Sequence, residues 1–265
     1  MPDDGPERSL DPKLRDEIDN GPTWSYPWRL APGVTTEAHR PWLAELTDTA
    51  SGMIEPHARE ALEAAGGEGS ALDIACNEGL ISQRLLDWGA SRVLGVDSRD
   101  LNIRRARLLR DQLGIPAERL EFDQRDLFDL DPAAIGQFDV VALLGIVYHL
   151  ENPMGAIRLA HALTRRVCLI ESQVIDDGAP IAWTTPDGES RSATARFALY
   201  REPDVETKLS PLAAMPGIVS LIPNRAALVE MASAAGFSSV AVVDPPPDAH
   251  PQHLNGNRAV VVAAS

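Results

Sequence analysis

The chain has 265 residues, 44% of them hydrophobic, enough for one large domain with a substantial core plus appendages. Its 24 Lys and Arg against 39 Asp and Glu give a net charge of −15, which repels polyanions and anionic lipid and argues against nucleic acid or a membrane as partner. Cys76 and Cys168, far apart in apolar runs, exclude a disulfide framework; with no apolar leader and no run long enough to span a bilayer, the expected location is cytoplasmic.

Residues 1–20 are charged and poor in large apolar groups, so a flexible arm is expected there. Residues 21–68 read as an N-terminal helical or lid segment. Its loop over 23–36 concentrates Trp24, Tyr26 and Trp28 beside Pro27, Pro32 and Gly33, either as a lid over a site or as a plug on the core. Helical patterns follow at 37–48 and 53–65, the second stopped by Gly66 and Gly67.

From Ser70 short apolar runs alternate with amphipathic helices, the signature of βαβ units and a parallel sheet. Strands are predicted at 71–76, 92–97, 120–123, 138–144 and 167–173, and helices at 80–88, 100–113 and 153–163. Arg104, Arg105, Arg107 and Arg110 in the second helix have the spacing of a solvated face. Right-handed crossovers put helices on both sides of such a sheet, which makes the fold class α/β and doubly wound. Residues 174–221, rich in Asp, Gly, Pro, Ser and Thr, interrupt the rhythm beside the end of the fifth strand, with weak strand signals near 181–184 and 195–200. A helix over 225–235, capped by Asn224 and stopped by Gly236, precedes a terminal strand pair at 239–243 and 258–263, for seven strands in all.

The strongest chemical signal is A-L-D-I-A-C-N-E-G over 71–79, an apolar strand running into a tight turn and a helix. Small or turn-tolerant residues at Ala75, Asn77 and Gly79 let backbone approach a ligand, and the helix aims free N–H groups at it. Asp97 closes the next strand, where a carboxylate accepts hydrogen bonds from ribose hydroxyls, so loop and acid together describe a nucleoside site. A dinucleotide fits poorly, because the turn lacks the G-x-G-x-x-G glycines that a pyrophosphate needs.

With D-I-A-C-N-E-G, G-V-D-S over 95–98, R-D-L over 125–127 and F-D-V-V-A-L-L-G-I-V-Y-H-L over 138–150 in this order, the sequence resembles the class I S-adenosylmethionine (SAM)-dependent methyltransferase family. Segments 30–36, 144–150 and 220–231 resemble the branch that holds tRNA wobble-uridine modifying enzymes and sugar or natural-product O-methyltransferases. The resemblance implies a Rossmann-like seven-stranded SAM-binding domain over 69–265, with 174–221 inserted on the acceptor side. It implies SAM as cofactor, with Asp73, Ala75, Asn77 and Gly79 around the methionine part, Asp97 at the ribose, Asp126 and Leu127 at the adenine, and Ser98 and Leu144 also among the cofactor-binding residues. Ala75 departs from the family's usual glycine.

Methyl transfer from a sulfonium needs alignment and a destination for the acceptor proton, and His149, just past the fourth strand, is the candidate general base. Glu171 alternates with Gln173 at the end of the fifth strand as a second catalytic candidate, with Gln173, Tyr26, Trp28, Tyr148 and Tyr200 as candidate substrate contacts. No metal-ligand spacing is present, so no metal is assigned; a divalent ion at Asp176 and Asp177 is left open, a solvated turn being the simpler reading. The favoured function is O-methylation of a small-molecule acceptor, a saccharide or secondary metabolite, with a homodimer allowed by the sequence. The alternatives are a tRNA wobble-uridine modifying enzyme and a non-catalytic SAM-binding regulatory protein.

Overall fold

The computed structural model describes residues 9–203 and 217–265. The chain enters through helix α1 (Pro12–Asn20), a small antiparallel pair β1 (Arg29–Ala31) and β2 (Val34–Thr35), and the long helix α2 (Leu43–Glu63). Helix α1 occupies half of the stretch expected to be a flexible arm. Asp11 caps it by accepting from the Lys13 and Leu14 amides, Pro12 starts it, and Leu14 is fully buried with Leu109, Trp24 and Trp28. One buried leucine and a good cap hold this otherwise charged segment in place.

Five parallel strands follow, β3 (Ser70–Ile74), β4 (Arg92–Asp97), β5 (Leu120–Gln124), β6 (Phe138–Leu144) and β7 (Thr164–Gln173). Helices α3 (Leu80–Asp87), α4 (Asp100–Leu113), α5 (Pro132–Ile135) and α6 (Pro153–Leu163) connect them. Beyond β7 come two small hairpins, β8 (Ile181–Thr184) with β9 (Ser190–Ala193) and β10 (Phe197–Tyr200) with β11 (Ser220–Pro223). Helix α7 (Arg225–Ala235), strand β12 (Ser239–Val243), helix α8 (Pro251–Leu254) and strand β13 (Arg258–Ala264) complete the chain. The main sheet has seven strands in the order β12-β13-β7-β6-β3-β4-β5, with β13 antiparallel to both neighbours. This is the doubly wound α/β sheet that the strand–helix rhythm predicts, with the seven strands that the resemblance implies.

The strands are apolar almost without interruption because the sheet is covered on both faces. Leu72, Ile74, Val141, Leu143 and Ile170 pack on α6 and α7, whereas Ala71, Val140, Ala142 and Leu169 face α2, α3 and α4. The order reverses at β3 and β6, whose neighbouring connections leave in opposite directions, and the crevice at such a point is where open α/β sheets bind ligands.

Two further expectations are corrected. The helical patterns at 37–48 and 53–65 form one helix over Leu43–Glu63, because Leu46, Ala50, Met53, Ile54, Ala58 and Leu62 make a continuous buried stripe that overrides the weak Ser51-Gly52 pair and the internal Pro56. The arginine row on α4 is not simply a solvated face. Arg105 is fully buried, and Arg107 and Arg110 donate to the Phe122 and Leu120 carbonyls.

Candidate functional site

Loop 75–79 leaves the end of β3 and turns directly into α3. Ala75 and Asn77 both take left-handed backbone conformations, φ 62° and 51°, and Gly79 follows at 85°. The chain therefore makes the tight turn without glycine at position 75, at a cost of about 1–2 kcal/mol for a residue with a Cβ. Gly79 cannot be replaced in the same way, since a Cβ there would lie 2.6 Å from the Phe122 ring. Gly79 thus shapes the turn, while Asp73, Ala75, Cys76 and Asn77 line a cavity.

Asp97, at the end of β4, fixes this turn to the next one. Its Oδ2 accepts from the Asn77 amide at 3.0 Å, and its Oδ1 accepts from the Arg99 amide at 2.9 Å and from Asn102 Nδ2 at 3.2 Å. A carboxylate has about four lone-pair positions, so one on Oδ2 remains for a ligand hydroxyl. Asp73 is buried in β3 and accepts a 2.6 Å bond from Ser82; desolvation lifts its pKa to about 7. Ser98, Leu127 and Leu144 also line the cavity, as does Asp126, whose Oδ1 caps the turn over Leu127–Asp129 by accepting from the Phe128 amide.

The aromatic loop is clamped to this turn. Glu78 is wholly buried and accepts from the Ser25 amide at 2.9 Å, from Trp28 Nε1 at 3.1 Å and from Arg105 at 3.1 Å. Arg105 also bonds Glu17 and the Thr23 carbonyl, and its guanidinium lies 4.2 Å from the centre of the Trp24 ring. Ser25 and Asn77 are hydrogen-bonded side chain to side chain. Trp28 is therefore part of the scaffold and does not line the cavity, contrary to its expected substrate role, whereas Tyr26 does line it. Burial raises the Tyr26 phenol well above its ordinary pKa and keeps it neutral.

The cavity holds about 810 Å³ and continues from the turn to a second group of residues past β6 and β7. His149 follows β6 in a short turn over Val147–His149; its Nδ1 lies 2.9 Å from Glu202 Oε1, and the Tyr148 ring packs 4.1 Å from its own. Glu171 lies at the end of β7, but both its oxygens accept from Arg258, at 2.8 and 3.0 Å. That pairing removes Glu171 from candidacy as a free base and makes it a support, since Arg258 in turn reaches the Tyr148 hydroxyl at 3.2 Å. Gln173, Tyr148 and Tyr200, the other candidate substrate contacts, line the cavity. Among the described residues no cluster of His, Cys, Asp and Glu is arranged to hold a metal, and no helix is long and apolar enough to cross a membrane.

Sequence reasoning missed Glu78, Arg105, Arg258 and Glu202. Glu78 sits inside the turn at 75–79, but nothing local shows that its partners lie 27 to 53 residues away. Glu202 and Arg258 carry no local signal at all.

Residues 72–168 match the family model described as a methyltransferase domain. The chain is 27% identical over 180 residues to a tRNA U34 carboxymethyltransferase of Alteromonas mediterranea, covering 66% of this chain and 46% of that protein. It is 32% identical over 96 residues to a ubiquinone biosynthesis O-methyltransferase of Pseudomonas paraeruginosa, covering 36% and 40%. The chain thus matches less than half the length of either curated relative. Among solved structures, the N-terminal domain of EvdMO1 with S-adenosylhomocysteine (SAH) bound superimposes with a TM-score of 0.66 at 22% identity, over 96% of this chain and 94% of that one. The same domain in the presence of SAH and D-fucose gives 0.64 at 21%, with the same coverage. At these identities the likeness speaks for the fold alone.

Proposed function

We propose that this chain, whose residues 72–168 match a methyltransferase-domain model, binds SAM and transfers its methyl group to a hydroxyl of a small molecule. The observation that carries the reading is one cavity that joins Asp97, with a spare acceptor position, to His149 and uncommitted hydrogen-bonding groups. SAM, when bound, supplies a methyl group already activated on a sulfonium.

The residues present suit the donor. Asp97 accepts from ribose hydroxyls, Asp73 faces the charged methionine end as a carboxylate, and Asp126 and Leu127 flank the base. On the acceptor side His149 takes the hydroxyl proton. Gln173 and Asn257 line the cavity with side-chain amides that make no hydrogen bond within the described protein, which suits a polyhydroxylated acceptor such as a saccharide. The presence of D-fucose with the related EvdMO1 domain makes deoxyhexoses natural first acceptors to screen.

The net charge of −15 favours a small acceptor over RNA, which would have to be held through phosphates. A wobble-uridine activity is the second reading, raised by the tRNA-modifying relatives. The test is single-turnover transfer from methyl-labelled SAM to panels of sugars, phenolic metabolites and tRNA. Transfer to a hydroxyl compound, reduced about 10²- to 10⁴-fold in His149→Ala with SAM affinity unchanged, supports the reading. Product on tRNA alone, or undiminished turnover in the variant, overturns it.

A further inference from the structure

We infer that a second, small cavity behind Arg258 is a site for one ordered water molecule, which hydrogen-bonds His253 and Arg225. The site is separate from the proposed methyl transfer and stands or falls without it.

The cavity lies between α2, the first residue of α7, the end of β12, helix α8 and the start of β13, and holds about 30 Å³. That is the share of one water molecule and too little for an organic ligand. Arg225, Asp244, His253 and Arg258 line it beside apolar walls, and a cavity with several polar groups is wet where a wholly apolar one of this size stays dry. His253 is buried, at 3% exposure, and neither of its ring nitrogens has a hydrogen-bond partner among the described residues; the same holds for Arg225 Nε. Glu171 Oε1 stands 3.8 Å from His253 Nε2, beyond hydrogen-bond length. Buried polar groups are ordinarily satisfied, by protein or by ordered water.

Charge and donor count identify the guest. Arg258 is neutralised by Glu171, and Arg225 is balanced by Asp244 on the same cavity. His253 is neutral at pH 7, because burial, aided by Arg258 and His250, outweighs Glu171 and holds it below the ordinary histidine range. The lining charges therefore cancel, which favours a neutral guest over an anion. Arg225 Nε–H donates and the unprotonated nitrogen of a neutral imidazole accepts, and a water molecule accepts from the first and donates to the second.

The water has a structural consequence for the large cavity, because Arg258 lines both. On its other side Arg258 donates to Glu171, to the Tyr148 hydroxyl and, through Nε, to Gln252 at 3.0 Å. Gln252 and His253 are neighbours in α8, so a water that anchors His253 also steadies the residue that holds Arg258.

A crystal structure of the wild type, grown with bromide present and at a resolution that shows ordered solvent, tests the site and needs no variant. One solvent peak is expected about 2.7–3.2 Å from both Arg225 Nε and a His253 ring nitrogen, without anomalous bromide signal. An empty cavity, a bromide peak, or Arg225 bonded directly to His253 overturns the inference. Urea unfolding of Arg225→Met, His253→Phe and the double variant gives a second readout. Either change alone should release the water, so the double variant should be at least about threefold more stable in unfolding equilibrium constant than the two single effects combined. Strictly additive effects overturn the bridge.

Discussion

Residues 22–28 and residues 181–202 both reach the cavity from outside the main sheet, and they are held in opposite ways. The first stretch is tied down by buried charge and aromatic packing: Ser25 is wholly buried, Trp24 stacks under Arg105, and Glu78 gathers Ser25, Trp28 and Arg105 at one point. The second consists of thin two-stranded pieces whose Ile181, Trp183 and Leu199 are 60%, 48% and 73% exposed. Its main anchor is Asn224, which accepts from the Arg196 amide, donates to the Thr194 carbonyl and caps α7 through the Ala227 amide. On the proposed function, tight fixation at the turn suits a donor that does not vary, whereas a more exposed wall on the acceptor side tolerates change in what it must admit.

The largest effect expected from this contrast lies in the clamp. Arg105→Met leaves Glu78 buried without its cation, and breaking a buried pair from one side costs about 3–5 kcal/mol. Urea unfolding should show that loss together with weaker SAM binding, and a stability change under 1 kcal/mol would show that the clamp is ornamental. Across the cavity, Asn224→Ala removes a helix cap and two loop bonds, for about 1–2 kcal/mol. There SAM affinity should hold while the acceptor KM rises; equal damage to both would erase the distinction between the two walls.

A smaller, pH-dependent effect separates the donor end further. The carboxyl of Asp73 titrates near 7 in the folded protein because burial disfavours its charge, so its ionisation opposes folding as pH rises from its unfolded value of 3.8 through 7. A bound ammonium favours the ionised form, and binding below pH 7 must therefore release a proton. SAM affinity should fall about tenfold between pH 8 and pH 6 and lose that slope in Asp73→Asn. A flat profile in the wild type would separate Asp73 from the charged end of the donor. The smallest effect belongs to the exposed hairpin: Trp183→Ser should change unfolding free energy by less than about 0.5 kcal/mol.

These differences also explain what the sequence made legible. The seven strands, the turn at 75–79 and the acid Asp97 were readable because apolar periodicity and local turn chemistry record them within short windows. Asn224 was readable as a cap for the same reason. The clamp was not, since Arg105 looks identical to its surface neighbours until Glu17, Glu78 and Trp24 are brought around it. Glu171 and Trp28 were given roles by position, and their long-range partners, Arg258 and Glu78, are what reassign them. His149 was found from its place after β6, but the carboxylate beside its ring comes from 53 residues further along the chain.

The central claim, that the turn and Asp97 hold the nucleoside of SAM, is tested most directly by calorimetric titration of SAH into the wild type and Asp97→Ala. One site per chain is expected in the wild type. The variant should bind about tenfold or more weakly, because it loses a charged acceptor worth about 1.5–3 kcal/mol. No heat with SAH, equal affinity in the two proteins, or binding of NADH in place of SAH would contradict the account.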